Sequence, residues 1–230
     1  MSALMLMLLW LMASAWPGFA IAQTPSSGNV AKGAEVFRAC AGCHSLEQGR
    51  NLSGPSLAGV IGRKAGSVSS FLRYSAALKG SGIVWTAKTL DTWVANPAAF
   101  IPGSTMPFGG LPDRQARADL VAFIAGVSTG NADAIAQMKR LPQLPPLKTA
   151  EAAQRVTAVR HCQDSYFVST ANGRTRPFWE FDLRFKTDTS DRGPNKKEPV
   201  LVGQGMGGDR AQIVFADPAE ISAFISDRCE

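Results

Sequence analysis

The sequence predicts a helical domain over residues 23–130 and a small α+β module over residues 151–230, joined by a proline-rich linker at 131–150. Three patterns carry that division. Apolar residues recur at helical spacing before residue 130, with Leu120, Phe123 and Ile124 at i, i+3 and i+4. The run Leu141-Pro142-Gln143-Leu144-Pro145-Pro146-Leu147 excludes regular helix and central strand, because proline lacks the amide donor and locks φ. Beyond it, Trp179, Phe181, Leu183 and Phe185 alternate with Glu180, Asp182, Arg184 and Lys186, the period of a half-buried strand.

The chain of 230 residues is long enough to bury a real core, and 45% apolar residues exclude both a disordered chain and a multi-span membrane protein. Residues 3–16 form a short uncharged apolar run, followed by Pro17-Gly18 and by Ala20-Ile21-Ala22. A small-x-small site after such a run reads as a secretory signal peptide over residues 1–22, placing the mature chain in the periplasm. The first positive residue is Lys32, so the n-region departs from the usual signal. An uncleaved anchor is the alternative; the shortness of the run favours cleavage, with no membrane span afterwards.

The mature chain opens loosely at residues 23–28. Asn29 is a suitable N-cap for a helix from Val30 to Cys40, in which Gly33 and Phe37 lie one turn apart on one face. That helix runs into Cys40-Ala41-Gly42-Cys43-His44. C-x-x-C-H is the haem-attachment motif: two thiols at this spacing reach the two vinyl groups of one porphyrin, and the adjacent histidine lies under the iron. A redox C-x-x-C would sit in a βαβ pattern, and a zinc site would need further nearby ligands. The next Cys or His is His161, so haem is the better reading.

Further motifs follow in order: Gly54-Pro55-Ser56-Leu57, Gly62-Arg63-Lys64-Ala65-Gly66, Tyr74-Ser75-Ala76-Ala77 and Gly82-Ile83-Val84-Trp85. Then come Leu90 to Met106, with Pro102-Gly103-Ser104-Thr105-Met106-Pro107 at its end, and a last helix from Asp113 to Ala125. With Gly33, Phe37 and the C-x-x-C-H run, this series resembles the small soluble bacterial and mitochondrial cytochromes c over residues 29–128. The resemblance implies an all-α monohaem cytochrome c domain, followed here by a small α+β module that resembles no family we recognise. It implies one covalent haem c on Cys40 and Cys43, with His44 and Met106 as axial iron ligands. It also implies that the Pro55 carbonyl orients the His44 ring, and that Arg63, Tyr74, Trp85 and Ser104 contact the haem propionates. Independently, a methionine in a Pro-Gly loop between helical segments is a poor core filler, and Met/His ligation raises the potential. Two positions depart from the family pattern: Trp93 stands where a tyrosine is usual and Leu78 where an amide is frequent.

The linker is expected to be semi-rigid and to lie on the surface, after a short helix at Ala132–Lys139. In the module, strands are expected at Gln154–Cys162, Ser165–Thr170, Val200–Val202 and Gln212–Phe215, with a turn at Ala171-Asn172-Gly173-Arg174. Residues 187–199 read as a polar loop, and the glycine-rich 203–208 as a hairpin loop. Asp217-Pro218 opens a C-terminal helix. Cys162 and Cys229 remain over, a pair suited to a disulfide in an oxidising compartment, which would tie the first strand to that helix. His161 reads as a strand-end histidine, since a second C-x-x-C-H is absent.

Residues 1–130 carry 10 Lys+Arg against 5 Asp+Glu, and residues 131–230 carry 14 against 13, so the net charge of +6 sits mostly on the haem half. Either solubility or steering of an acidic partner accounts for it; Arg63, Lys64, Arg73, Lys79 and Lys88 are the candidates for steering. No basic run with interleaved aromatics points to nucleic acid. The expected function is electron transfer without catalysis, to a periplasmic dehydrogenase, reductase or oxidase, with the second module docking that partner. The alternative is a haem-based sensor with a labile Met106.

Overall fold

The computed structural model describes residues 27–142, 145–203 and 211–229. The expected signal peptide and most of the glycine-rich loop lie outside them. Among the described residues no helix is long and apolar enough to cross a membrane.

The first half is helical. α1 (Val30–Ala41) is capped by the Asn29 side chain, which accepts from Lys32 N–H. It crosses α5 (Arg114–Thr129) at its buried face of Gly33, Ala34 and Phe37. Phe37 and Phe123 meet edge-on with ring centroids 5.6 Å apart, and both are fully buried. A Cβ on Gly33 would strike the Asp119 carbonyl, so only glycine lets the two backbones approach this closely. The buried Asp119 carboxylate accepts from Asn29 N–H at 2.7 Å and from Gln115 Nε2 at 2.8 Å, which ties the start of α1 to the middle of α5.

Three shorter helices lie between: α2 (Ala76–Gly80), α3 (Ala87–Ala95) and α4 (Pro97–Phe100). Trp85 and Trp93 stack obliquely at 5.6 Å, and Trp93 meets Phe100 at 6.5 Å. α6 (Ala132–Arg140) follows α5 directly and packs Ala134 into the same core, joined by Leu141 just after the helix.

The second half holds two sheets. One has the order β3-β2-β1-β7, from β1 (Val156–Cys162), β2 (Ser165–Thr170), β3 (Thr175–Trp179) and β7 (Ile225–Asp227). The other has the order β4-β6-β5, from β4 (Leu183–Thr187), β5 (Val200–Val202) and β6 (Ala211–Phe215). α7 (Pro218–Phe224), capped by Asp217, leads into β7. The two sheets enclose a core of their own around Val159, Val168, Ile213 and Phe215. The chain is thus an all-α domain followed by an α+β module.

Three expectations need correction. The alternating run 179–186 is not one strand: Asp182 N–H bonds the Trp179 carbonyl at 2.9 Å, a turn that sends β3 to one sheet and β4 to the other. Trp179 and Phe181 are left about half exposed beside this break. The C-terminal helix does not run on to Cys229; β7 intervenes and pairs parallel with β1. The proline-rich stretch does not lie wholly on the surface either. Leu141 is buried against the helical core, and Leu147 against Val200 and Val214. Cys162 is bonded to Cys229 with Cα atoms 4.7 Å apart, joining the end of β1 to the chain just beyond β7.

Candidate functional site

The end of α1 sets the geometry of the motif. Cys43 N–H and His44 N–H both bond the Cys40 carbonyl, at 3.0 and 2.9 Å, so the chain turns tightly and carries His44 under the helix end. The next loop is built around buried Asn51. Its side chain accepts from Ser56 N–H at 2.9 Å and donates to Ser70 Oγ at 2.9 Å. Gly54 N–H bonds the Cys43 carbonyl at 2.7 Å and presses flat on the His44 ring, where a Cβ would collide with the imidazole. Pro55 then places its carbonyl 2.8 Å from His44 Nδ1. A carbonyl only accepts, so Nδ1 carries the proton and Nε2 keeps a free lone pair. Burial pushes the His44 pKa down, with the Pro55 bond opposing and the nearby Lys186 charge adding to the fall. The imidazole is thereby held neutral, the form that ligates a metal.

Around it lies a cavity of about 570 Å³. Cys40, Cys43, His44 and Met106 all line it, together with Pro55, Arg63, Tyr74, Trp85 and Ser104. The structure thus brings every site residue expected from the sequence to one cavity. Met106 sits in a loop opened by Gly103 at φ +83° and closed by Phe108 N–H on the Met106 carbonyl at 2.9 Å. Leu78 and Trp93, the two departures, also line the cavity and make that part of the wall apolar. The Cys40 thiol is pushed up to about 11, by burial first and by Cys43 second. Arg63 is pinned, donating to the carbonyls of Ser56 at 2.8 Å and Ala58 at 2.9 Å. Burial pushes the Tyr74 hydroxyl up, against a backbone bond from Val68 and the Arg63 charge. Among the described residues no group of three or more His, Cys, Asp or Glu side chains could hold a metal ion, so a zinc reading of Cys40 and Cys43 lacks further ligands.

Sequence reasoning missed Phe185 and Lys186, which reach the same cavity from β4. The alternation assigns Phe185 to the module's core and Lys186 to solvent. A period of two separates the faces of a strand; it does not say what covers the polar one.

The cytochrome c family model matches residues 30–128. Cytochrome c of Theileria annulata is 45% identical over 104 residues, which cover 44% of this chain and 89% of that protein. The chain belongs to the cytochrome c family. Cytochrome c-550 of Ancylobacter novellus is 46% identical over 107 residues, covering 45% of this chain and 96% of that one. A cytochrome c homolog of Bradyrhizobium diazoefficiens is 41% identical over 103 residues; they cover 44% of this chain and only 56% of that protein. Cytochromes c carry covalently bound haem c, and haem c is the cofactor of this chain. The cavity fits it: paired thiols, a neutral imidazole and a thioether converge on a largely apolar pocket. Haem-based electron transfer is the function class that this membership supports. The module beyond residue 128 lies outside the match.

Proposed function

We propose that the protein is an exported, periplasmic one-electron carrier and not an enzyme. Cys40 and Cys43 would hold haem c covalently, and His44 and Met106 would ligate its iron. Haem c supplies the ferric–ferrous couple; the residues of the chain do the rest. Pro55 and Gly54 fix the plane and tautomer of His44. Trp85, Trp93 and Leu78 exclude water from the pocket. Arg63 and Tyr74, close enough to feel each other's charge, line the cavity together with Ser104 and would hold the propionates. The observation that carries this reading is the convergence of Cys40, Cys43, His44 and Met106 on one cavity. The donor and acceptor are periplasmic redox proteins, a dehydrogenase on one side and a reductase or oxidase on the other. Lys64, Lys79 and Lys88 are exposed and free to steer them. The α+β module docks one of these partners.

The test is an optical spectrum of the exported protein out to the near infrared. A weak methionine–iron band, with a ferrous spectrum unchanged by carbon monoxide, is expected. In Met106→Ala the band disappears and carbon monoxide binds at once. A wild type that lacked the band and took up carbon monoxide would sink the carrier reading and favour a sensor.

A further inference from the structure

The α+β module does not merely follow the haem domain; it contributes to the wall of the cavity. Phe185 and Lys186 of β4 line it, and Lys186 Nζ lies 3.0 Å from Cys43 Sγ. The strand is clamped from both sides. Within the module, Lys186 pairs with Val214 of β6 in parallel register. Towards the haem domain, Thr187 N–H donates to Ser53 Oγ at 3.4 Å, and Thr187 Oγ1 accepts from Arg73 at 2.9 Å. Asp188 then holds Arg50 at 3.0 Å in a pair with only 4% and 10% of the respective side chains exposed. A flexible surface lysine would sample many positions, but this one leaves a strand fixed against the loop that carries Gly54 and Pro55.

The charges facing the cavity are of one sign. Arg63, Arg73 and Lys186 line it, and among the described residues no Asp or Glu does. The nearest acids of the interface are engaged elsewhere: Asp188 and Glu47 both pair with Arg50. Arg63 is turned to the carbonyls of Ser56 and Ala58, and Arg73 to those of Leu52 and Ser53. Of the three, Lys186 makes the hydrogen bond to the attachment sulfur, while Arg73 acts on Cys43 through its charge alone.

We propose that Lys186 sets the reduction potential of the haem: β4 carries its ammonium to the Cys43 edge, where it disfavours the oxidised, more positive state. The module is then an electrostatic part of the redox centre as well as an attachment to it. This rests on Cys43 being a haem-attachment residue.

The experiment is a spectroelectrochemical titration of the full-length, haem-loaded protein. One unit charge removed at near-contact distance is expected to change the one-electron equilibrium about tenfold, or about 59 mV, towards a lower potential in Lys186→Met. Lys186→Arg keeps the charge and stays within about twofold of wild type. Lys196→Met removes an exposed charge of the same module and also stays within about twofold. A Lys186→Met potential within about twofold of wild type overturns the proposal. So does an equal shift in Lys196→Met, because net charge and not position would then be responsible. The methionine–iron band is recorded on the same samples. Its loss from wild type would count against Met106 as a ligand, while the difference between the lysine variants would still decide the present question.

Discussion

A methyl group on Gly33 would run into the Asp119 carbonyl and the Phe123 Cβ of α5. In an isolated helix, alanine would be favoured over glycine by about 1 kcal/mol. Here the sign reverses, because the clash is with backbone and cannot be relieved by a rotamer change. Forcing the helices apart would also loosen the Phe37–Phe123 contact. Gly33→Ala is therefore expected to lower the unfolding free energy by about 2 kcal/mol, within the range for overpacked cores. A urea titration followed at the Soret band measures it, and an unchanged or higher midpoint would refute this account of the crossing. Gly54 is a second position of this kind, with the His44 ring in place of a helix. Both glycines were legible in the sequence as members of a motif. The atoms they make room for were not, since those come from elsewhere in the chain.

At the scale of elements, what joins the two halves is a short stretch, residues 187–189, laid along residues 50–53. Thr189 N–H bonds the Asn51 carbonyl at 3.3 Å, Thr187 bonds Ser53, and Asp188 bonds Arg50. The pair is buried, and removing one partner from a buried ion pair strands the other in low dielectric. Glu47 remains beside Arg50 at 3.0 Å and softens the loss. Asp188→Ala should destabilise the protein by about 3 kcal/mol. The double variant Arg50→Met with Asp188→Leu should recover most of it, because no buried charge is left unpaired: Glu47 is partly exposed and keeps Arg192 at 3.9 Å. A double variant no better than Asp188→Ala would mean that the backbone bonds, and not the pair, carry the interface. Little of this could be read beforehand: residues 187–199 have the composition of a solvated loop, and the side chains that bury them lie more than a hundred positions away. The caps of α1 at Asn29 and α7 at Asp217, by contrast, were legible, because capping is local.

The whole molecule has two main hydrophobic cores, one around Phe37 and Phe123 and one around Ile213 and Phe215, coupled across a polar seam. Their dependence on cross-links differs. The helical core is closed by the α1–α5 crossing, and haem c, if held on Cys40 and Cys43 as proposed, would add a covalent tie to the end of α1. The module's sheets are short, and β7 has only three residues, held by pairing with β1 and by the Cys162–Cys229 bond beyond it. That topology was hidden in the sequence, since a three-residue strand after a helix carries no periodic signal and parallel pairing has no turn to mark it. The bond closes a loop across a separation of 67 residues, for which chain entropy gives about 4 kcal/mol. The thioethers of haem c resist thiol reductants, so dithiothreitol acts on the module alone. We expect it to lower the urea midpoint of the module, read from near-ultraviolet circular dichroism, while the Soret transition moves much less. The polar seam predicts a second consequence: once the module has unfolded, Lys186 has left the Cys43 edge. The potential measured between the two midpoints should then match that of Lys186→Met. Coincident transitions that shift together would show instead that the seam makes one cooperative unit of the two cores.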